Sequence, residues 1–218
     1  MPEVNLMMRY PKRTGRQTER PVITEEDKRL ARQFGRDYFD GLRRHGYGGY
    51  EYHPRFWTET VRYMREYYHL PSDAAILDVG CAKGFMLYDF RQLMPDARLT
   101  GVDVSEYAVA NALEAMRPYI RTGNAVSLEF PDRSFDLVLA INSIHNLPYA
   151  ECKRSLQEIQ RVSRGSAFVM VDAYRTDAER EAMLSWVLTA QTMLHVEDWL
   201  RLFAEAGYTG DYCWWTVQ

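Results

Sequence analysis

The run Ile76-Leu77-Asp78-Val79-Gly80-Cys81-Ala82-Lys83-Gly84-Phe85 limits the fold of this chain more than any other stretch of it. It reads as an apolar strand with an acid near its end, then a glycine-spaced turn, then a helix start. Glycine is needed where backbone bends sharply or approaches a ligand that a Cβ would displace, and a helix opening near Gly84 aims free N–H groups at whatever lies before it. The loop suits a nucleotide-like ligand. A second acidic strand end, Gly101-Val102-Asp103-Val104-Ser105, follows about 25 residues on, the spacing at which a βαβ unit brings a ribose-binding carboxylate beside the first loop.

From residue 75 onward strand and helix patterns alternate. Strands are expected over 76–79, 99–103, 135–141, 167–171 and 212–217. Helices are expected from Gly84, from Ser105 as N-cap, over about 149–163, from Asp177 to about Ala190, and over 197–206 with Gly207 as the stop. This order predicts an α/β fold, a doubly wound, mostly parallel sheet with helices on both faces. Only one strand follows the last helix, so a final antiparallel strand pair would be incomplete. The exposed edge would invite a homodimer through the C-terminal side of the sheet, or be covered by the N-terminal arm.

Three segments are expected. Residues 1–22, with Pro2, Pro11, Gly15 and Pro21 among charges, read as a flexible arm. Residues 23–69 read as a helical cap: one helix from Thr24 to about Gly46, a glycine-rich aromatic loop over 45–53, and a second helix opened by Pro54. Residues 70–218 form the main domain.

A net charge of −3 gives no general attraction to polyanions, so nucleic acid is not the expected partner. The local basic cluster of Arg9, Lys12, Arg13, Arg16 and Arg20 reads as a solvated tail. Three widely spaced cysteines outside any C-x-x-C pattern fit reduced thiols in a cytoplasm. No run approaches the ~20 apolar residues of a membrane span. The histidines lack H-x-x-x-H spacing and no carboxylate cluster follows the fourth strand, so no metal site is expected.

With both acidic strand ends, Gly123-Asn124-Ala125, the Phe130-Pro131-Asp132-x-Ser134-Phe135-Asp136 turn and the Leu156-x-Glu158-Ile159-x-Arg161-Val162 helix in one order, residues 70–210 resemble the Rossmann-like (class I) S-adenosylmethionine-dependent methyltransferases, most of all their small-molecule type. The resemblance implies S-adenosyl-L-methionine as cofactor and S-adenosyl-L-homocysteine as product. It implies that Asp78 lies near the cofactor's amino group, that Gly80 and Gly84, with Cys81 and Ala82 between them, give backbone access to the methionine portion, and that Asp103, followed by Val104, accepts from the ribose hydroxyls. Asn124 and Ala125 would meet the adenine, and Asn142 would border cofactor and substrate. Ala82 stands where the family has the middle glycine of a triplet, a replacement that requires this residue to keep φ negative.

Methyl transfer from a sulfonium needs mainly alignment and exclusion of water, and a base where the acceptor must lose a proton. His145, just beyond the fourth strand, is a candidate base, a substrate-orienting group or a cap on its own loop. Asp172 and Tyr174, after the fifth strand, face the acceptor or merely tie their loop. Tyr47, Tyr50, Tyr52 and His53 read as an aromatic lid with Gly48 and Gly49 as hinges, or as packing on the sheet edge, and Arg55 could pair with the cofactor's carboxylate. The expected function is methylation of an oxygen or nitrogen of a small-molecule acceptor. The alternatives are a non-catalytic cofactor-binding regulatory or scaffold subunit and, with less support, a macromolecule methyltransferase. A nicotinamide dehydrogenase misses the G-x-G-x-x-G spacing.

Overall fold

A computed structural model describes residues 2–11 and 22–216. Its elements run in chain order α1 (Glu25–Ala31), α2 (Arg36–Asp40), a short 3₁₀ turn (Arg43–His45), α3 (Pro54–Tyr67), β1 (Ala75–Val79), α4 (Phe85–Leu93), β2 (Arg98–Asp103), α5 (Glu106–Ala110), β3 (Ile120–Thr122), β4 (Phe135–Ile141), α6 (Tyr149–Val162), β5 (Ser163–Tyr174), α7 (Asp177–Leu184), β6 (Leu194–His195), α8 (Val196–Ala206) and β7 (Asp211–Trp215). The apolar strands order as β3-β2-β1-β4-β5, with β7 beside residues 168–172 of β5 and the two-residue β6 beside residues 173–174. The order reverses between β1 and β4, and ligands of such sheets bind beyond the carboxyl ends of the strands flanking that crevice.

All pairings between named strands are parallel. Among the described residues no antiparallel strand pair closes the sheet, because α8 lies between β6 and β7 as a crossover and returns the chain to the starting end of the sheet. The outer edge of β7 takes the chain's own N-terminal residues. Glu3 bridges Tyr212, Val4 N donates to Tyr212 O at 2.8 Å, and Tyr212 N donates to Pro2 O at 3.3 Å. Leu6 is fully buried in the core cluster that holds Val61 and Met64. Of the segment expected as an arm, 12–21 lies outside the described residues, as do Lys12, Arg13, Arg16 and Arg20 and the last residue expected in the final strand, Val217.

Two cores sandwich the sheet. On one face Leu156 and Ile159 of α6 and Trp199, Leu202 and Phe203 of α8 meet Val138, Val169 and Val171. On the other, Val61 and Met64 of α3 and Leu87 and Phe90 of α4 meet Ile76, Leu137 and Phe168. The helix expected from Thr24 to about Gly46 is broken. Thr24 caps α1 in a reciprocal box with Asp27, but Phe34 stands at φ 49° and Gly35 restarts the chain as α2. The apolar spacing carries no sign of that break, because Phe34 and Tyr38 still share one face and meet edge to face at 5.3 Å. The helix expected to about Ala190 stops at Leu184, whereas α3, α6 and α8 lie within a residue of expectation.

Candidate functional site

Asp78 sits one residue from the end of β1, and Asp103 ends β2. Both carboxylates are buried, at 4% and 8% exposure, on neighbouring strands. Asp103 is held from two sides: Oδ2 accepts Ala82 N at 2.7 Å and Oδ1 accepts Ser105 N at 2.8 Å. Burial raises its pKa, with those two amides pulling the other way. Among the described residues the Asp78 carboxylate has no hydrogen-bond donor. Burial, and secondarily the Asp103 charge, lifts its pKa to about 8. A buried carboxylate of this kind favours a ligand that brings a positive charge or donors. The cofactor that the resemblance implies carries both an ammonium and ribose hydroxyls, so the residues present fit it.

The loop between the two acids is stitched to β2, where Val102 O accepts from Gly80 N at 2.7 Å and from Cys81 N at 3.2 Å. Gly80 (φ 88°) and Gly84 (φ 79°) both adopt left-handed backbone. Protein itself also bars a side chain at each. A Cβ on Gly80 would lie 2.3 Å from Ser143 Cβ, and one on Gly84 would lie 2.2 Å from Ile120 Cδ1. Ser143 Oγ in turn donates to Val79 O at 2.7 Å, which ties the end of β4 to the end of β1. The Cys81 side chain turns inward against Gly101 rather than toward the crevice.

Ala82 departs from expectation, because its φ is +48°. Holding its N–H on Asp103 costs this residue roughly 1–2 kcal/mol of left-handed strain. Ala82→Gly is therefore expected to stabilise the protein by about 0.5–1 kcal/mol, after the added flexibility of the unfolded chain is subtracted. Thermal unfolding should show a midpoint about 2 °C higher. An unchanged or lowered midpoint would mean that position 82 holds no strain.

The remaining expected residues divide between the crevice and its surroundings. Asn142 follows β4 at φ 52°, a conformation asparagine tolerates, with its N donating to Met170 O at 2.9 Å. Asn124 closes a turn, its Oδ1 accepting Val126 N at 3.0 Å, and borders a cleft of about 200 Å³ lined also by Val102, Gly123 and Phe130. Ala125 packs at the edge of a core, and Val104 is exposed. His145 is buried. Its Nδ1 accepts Asp172 N at 3.1 Å, its Nε2 lies 3.8 Å from Asp172 Oδ2, and its carbonyl accepts Gln191 N and Thr192 N at 3.0 and 2.9 Å. Burial lowers its pKa, and the Asp172 carboxylate opposes this. Tyr174 packs on the small cluster of Met183, Val187 and Ala190, with its ring 5.7 Å from His195.

Within the aromatic loop only part reaches the cofactor loop. The Tyr50 ring lies 4.2 Å from that of Tyr47 and stacks on Phe85, the first residue of α4, at 4.6 Å. Desolvation, the Tyr47 and Tyr10 phenols, and then the Asp78 and Asp103 carboxylates push the Tyr50 hydroxyl well above its ordinary pKa. Tyr52 instead donates to Asp89 at 3.2 Å, His53 caps α3 by accepting Arg55 N at 3.2 Å, and Arg55 lies over the Phe56 ring at 4.6 Å. Sequence reasoning missed Asp40, Lys83, Tyr38 and Tyr107, which gather around this loop. Desolvation raises the Tyr38 phenol to about 12, against the opposing pull of the Tyr47 and Thr189 hydroxyls. Their positions carry no motif, since 43 residues separate Asp40 from Lys83.

Among the described residues no helix is long and apolar enough to cross a membrane, no group of three or more metal-ligating side chains occurs, and the three cysteines are free and buried.

Comparison with known proteins agrees with this geometry. Residues 76–166 match the family described as "Methyltransferase domain". A demethylmenaquinone methyltransferase of Symbiobacterium thermophilum is 32% identical over 152 residues, 66% of this chain and 59% of that protein. A tRNA (carboxymethyluridine(34)-5-O)-methyltransferase of Arabidopsis thaliana is 25% identical over 66% of this chain and 34% of its own length. The chain thus spans between a third and three fifths of these curated relatives. Among solved structures, the [4+2]-cyclase SpnF shares the fold, with a TM-score of 0.53 at 24% identity over 69% of this chain and 56% of that one. Strand order, paired acids, loop and sequence matches together identify residues 76–166 as a methyltransferase domain of the Rossmann-like (class I) S-adenosylmethionine-dependent kind.

Proposed function

We propose that this protein transfers a methyl group from S-adenosylmethionine to an oxygen or nitrogen of a small molecule. The observation that carries the cofactor half is the pair of buried carboxylates, Asp78 and Asp103, beside a left-handed glycine loop and the start of α4. The cofactor supplies an activated sulfonium methyl when bound. Asp78 would accept from its ammonium and Asp103 from its ribose hydroxyls. Gly80, Cys81, Ala82 and Gly84 would line its methionine end, with Val104, Asn124 and Ala125 at the adenine end and Asn142 between cofactor and acceptor. Tyr50 on Phe85, with Tyr47 behind, would keep water from the reacting centre.

His145 is best read as a positioning residue. Its Nδ1 is engaged by the Asp172 amide and its carbonyl anchors Gln191 and Thr192, so this residue ties the turn after β4 to β5 and to the segment before β6. A base is dispensable where an acceptor is already nucleophilic. A small-molecule acceptor is supported by the quinone named for the relative with 32% identity and by the slightly acidic chain. The tRNA named for another relative supports the macromolecular alternative, and the fold, shared with a [4+2]-cyclase, does not by itself fix the chemistry. A homodimer on the C-terminal sheet edge would have to displace the chain's own residues 2–4 from Tyr212.

The test has two arms. Calorimetric titration with S-adenosylhomocysteine is expected to show micromolar binding, beside none with a nicotinamide dinucleotide. Radiolabelled S-adenosylmethionine is then offered to phenols, reduced quinones, amines and bulk tRNA. Label in a small acceptor is the expected result, whereas label in tRNA alone would transfer the protein to the macromolecular class.

A further inference from the structure

Lys83 lies inside the cofactor loop, between Ala82 and Gly84, yet its side chain turns away from both acids. Its ammonium is buried, with the side chain 10% exposed, and makes three short bonds: to Asp40 Oδ1 at 2.8 Å, Asp40 Oδ2 at 2.7 Å and Tyr50 O at 2.9 Å. Asp40 is the last residue of α2 and also accepts Tyr50 N at 3.0 Å and Tyr107 Oη at 2.8 Å. One carboxylate thus gathers the cofactor loop, the aromatic loop and α5. This ion pair joins residues 22–50 to the sheet domain, whereas the Asp27 pairs with Arg44 and His45 stay within the cap.

Both backbone groups of Tyr50 are held by this pair, and the Tyr50 ring stacks at 4.6 Å on Phe85, the residue that follows Gly84 of the cofactor loop. A ligand seated on Asp78 and Asp103 beside this loop would have Tyr50 as its neighbour, and release of Tyr50 from Asp40 and Lys83 would open its path. The two preceding residues, Gly48 at φ 69° and Gly49 at φ 106°, supply backbone freedom at that point. A buried ammonium stripped of its carboxylate is strongly disfavoured, so opening is a rare, discrete event rather than a continuous drift.

We propose that the Asp40–Lys83 pair is the latch of the cap, a positioning pair that sets how fast the cofactor enters and leaves rather than how tightly it is held. This rests on the cofactor reading given above. The measurement is stopped-flow binding of S-adenosylhomocysteine, followed by intrinsic fluorescence, to the full chain and to Asp40→Asn, Lys83→Met, the double variant and Lys83→Arg. Each of the first two is expected to raise association and dissociation rates together by about tenfold, with Kd changing less than about threefold. The double variant should do no more than either single one, and Lys83→Arg should restore slow exchange. Hydrogen exchange of residues 42–50, measured with no ligand, should quicken in both single variants while that of β4 stays slow.

Unchanged rates with unchanged exchange would overturn the latch. So would faster dissociation without faster association, which marks lost binding contacts or local damage. Should the wild-type chain fail to bind S-adenosylhomocysteine, the cofactor reading falls, and the exchange of residues 42–50 still decides whether the pair holds the cap shut.

Discussion

Replacing Asp103 by alanine is expected to weaken S-adenosylhomocysteine binding at least about 100-fold, because charge-assisted hydrogen bonds are each worth about 1.5–3 kcal/mol and each 1.4 kcal/mol is tenfold in affinity. The side chain acts in two directions. Toward the ligand it would accept from hydroxyls; toward the protein it already accepts Ala82 N and Ser105 N at 2.7 and 2.8 Å. Alanine removes the acceptor for both amides, so the strained turn at Ala82 loses the bond that holds it. Asp103→Asn separates these contributions. The amide oxygen can still hold one N–H while its NH₂ cannot accept the other, so an intermediate loss of about tenfold is expected. Calorimetry reads both variants, and an affinity unmoved by alanine would refute the role of Asp103 in ligand binding.

Asp78→Asn should separate binding from stability, moving them in opposite senses. In the unfolded chain Asp78 ionises near its ordinary value of 3.8, and in the folded protein at about 8. A pKa raised by folding contributes stability that is complete below the unfolded value and is lost as pH climbs through the folded one. The wild-type protein thus bears a growing cost between about pH 4 and pH 8, which asparagine cannot incur. The variant should unfold at a temperature close to wild type at pH 4 and about 5 °C or more above it at pH 8. Binding runs the other way. A ligand ammonium pairs with the ionised carboxylate, so wild-type affinity should rise as pH approaches about 8. Asparagine should lose about 10- to 100-fold at pH 8 together with that pH dependence. A gain in midpoint that is the same at pH 4 and pH 8 would show that Asp78 does not titrate in this window.

Much of the fold and the placing of the two acids side by side were legible in the chain because their determinants are local. Ile76 to Val79, apolar but for Asp78, and Leu137 to Ile141 are runs that suit a strand covered on both faces. Thr24, Ser105, Pro54 and Gly207 mark helix ends through bonds and backbone angles within a few residues of themselves. The two acids were legible because strand length and a short connection dictate that neighbouring parallel strands end side by side.

Other features had no local cause to read. The hand of Ala82 is imposed by Asp103, 21 residues away. The direction of β7 follows from the crossover through α8, and the cover on its outer edge comes from residues more than 200 positions earlier. Asp40 and Lys83 show no motif because their relation exists only once α2 is docked over the sheet, and Tyr50 stacks on Phe85 while Tyr52 meets that ring edge-on and donates to Asp89. By itself the sequence determined the α/β layering, the mostly parallel sheet and the paired carboxylates, since periodicity and short connections operate over a few residues. Tertiary structure alone decided how the cap closes, which backbone is strained and what the buried charges touch, because burial and Coulomb interaction depend on distance in space rather than along the chain.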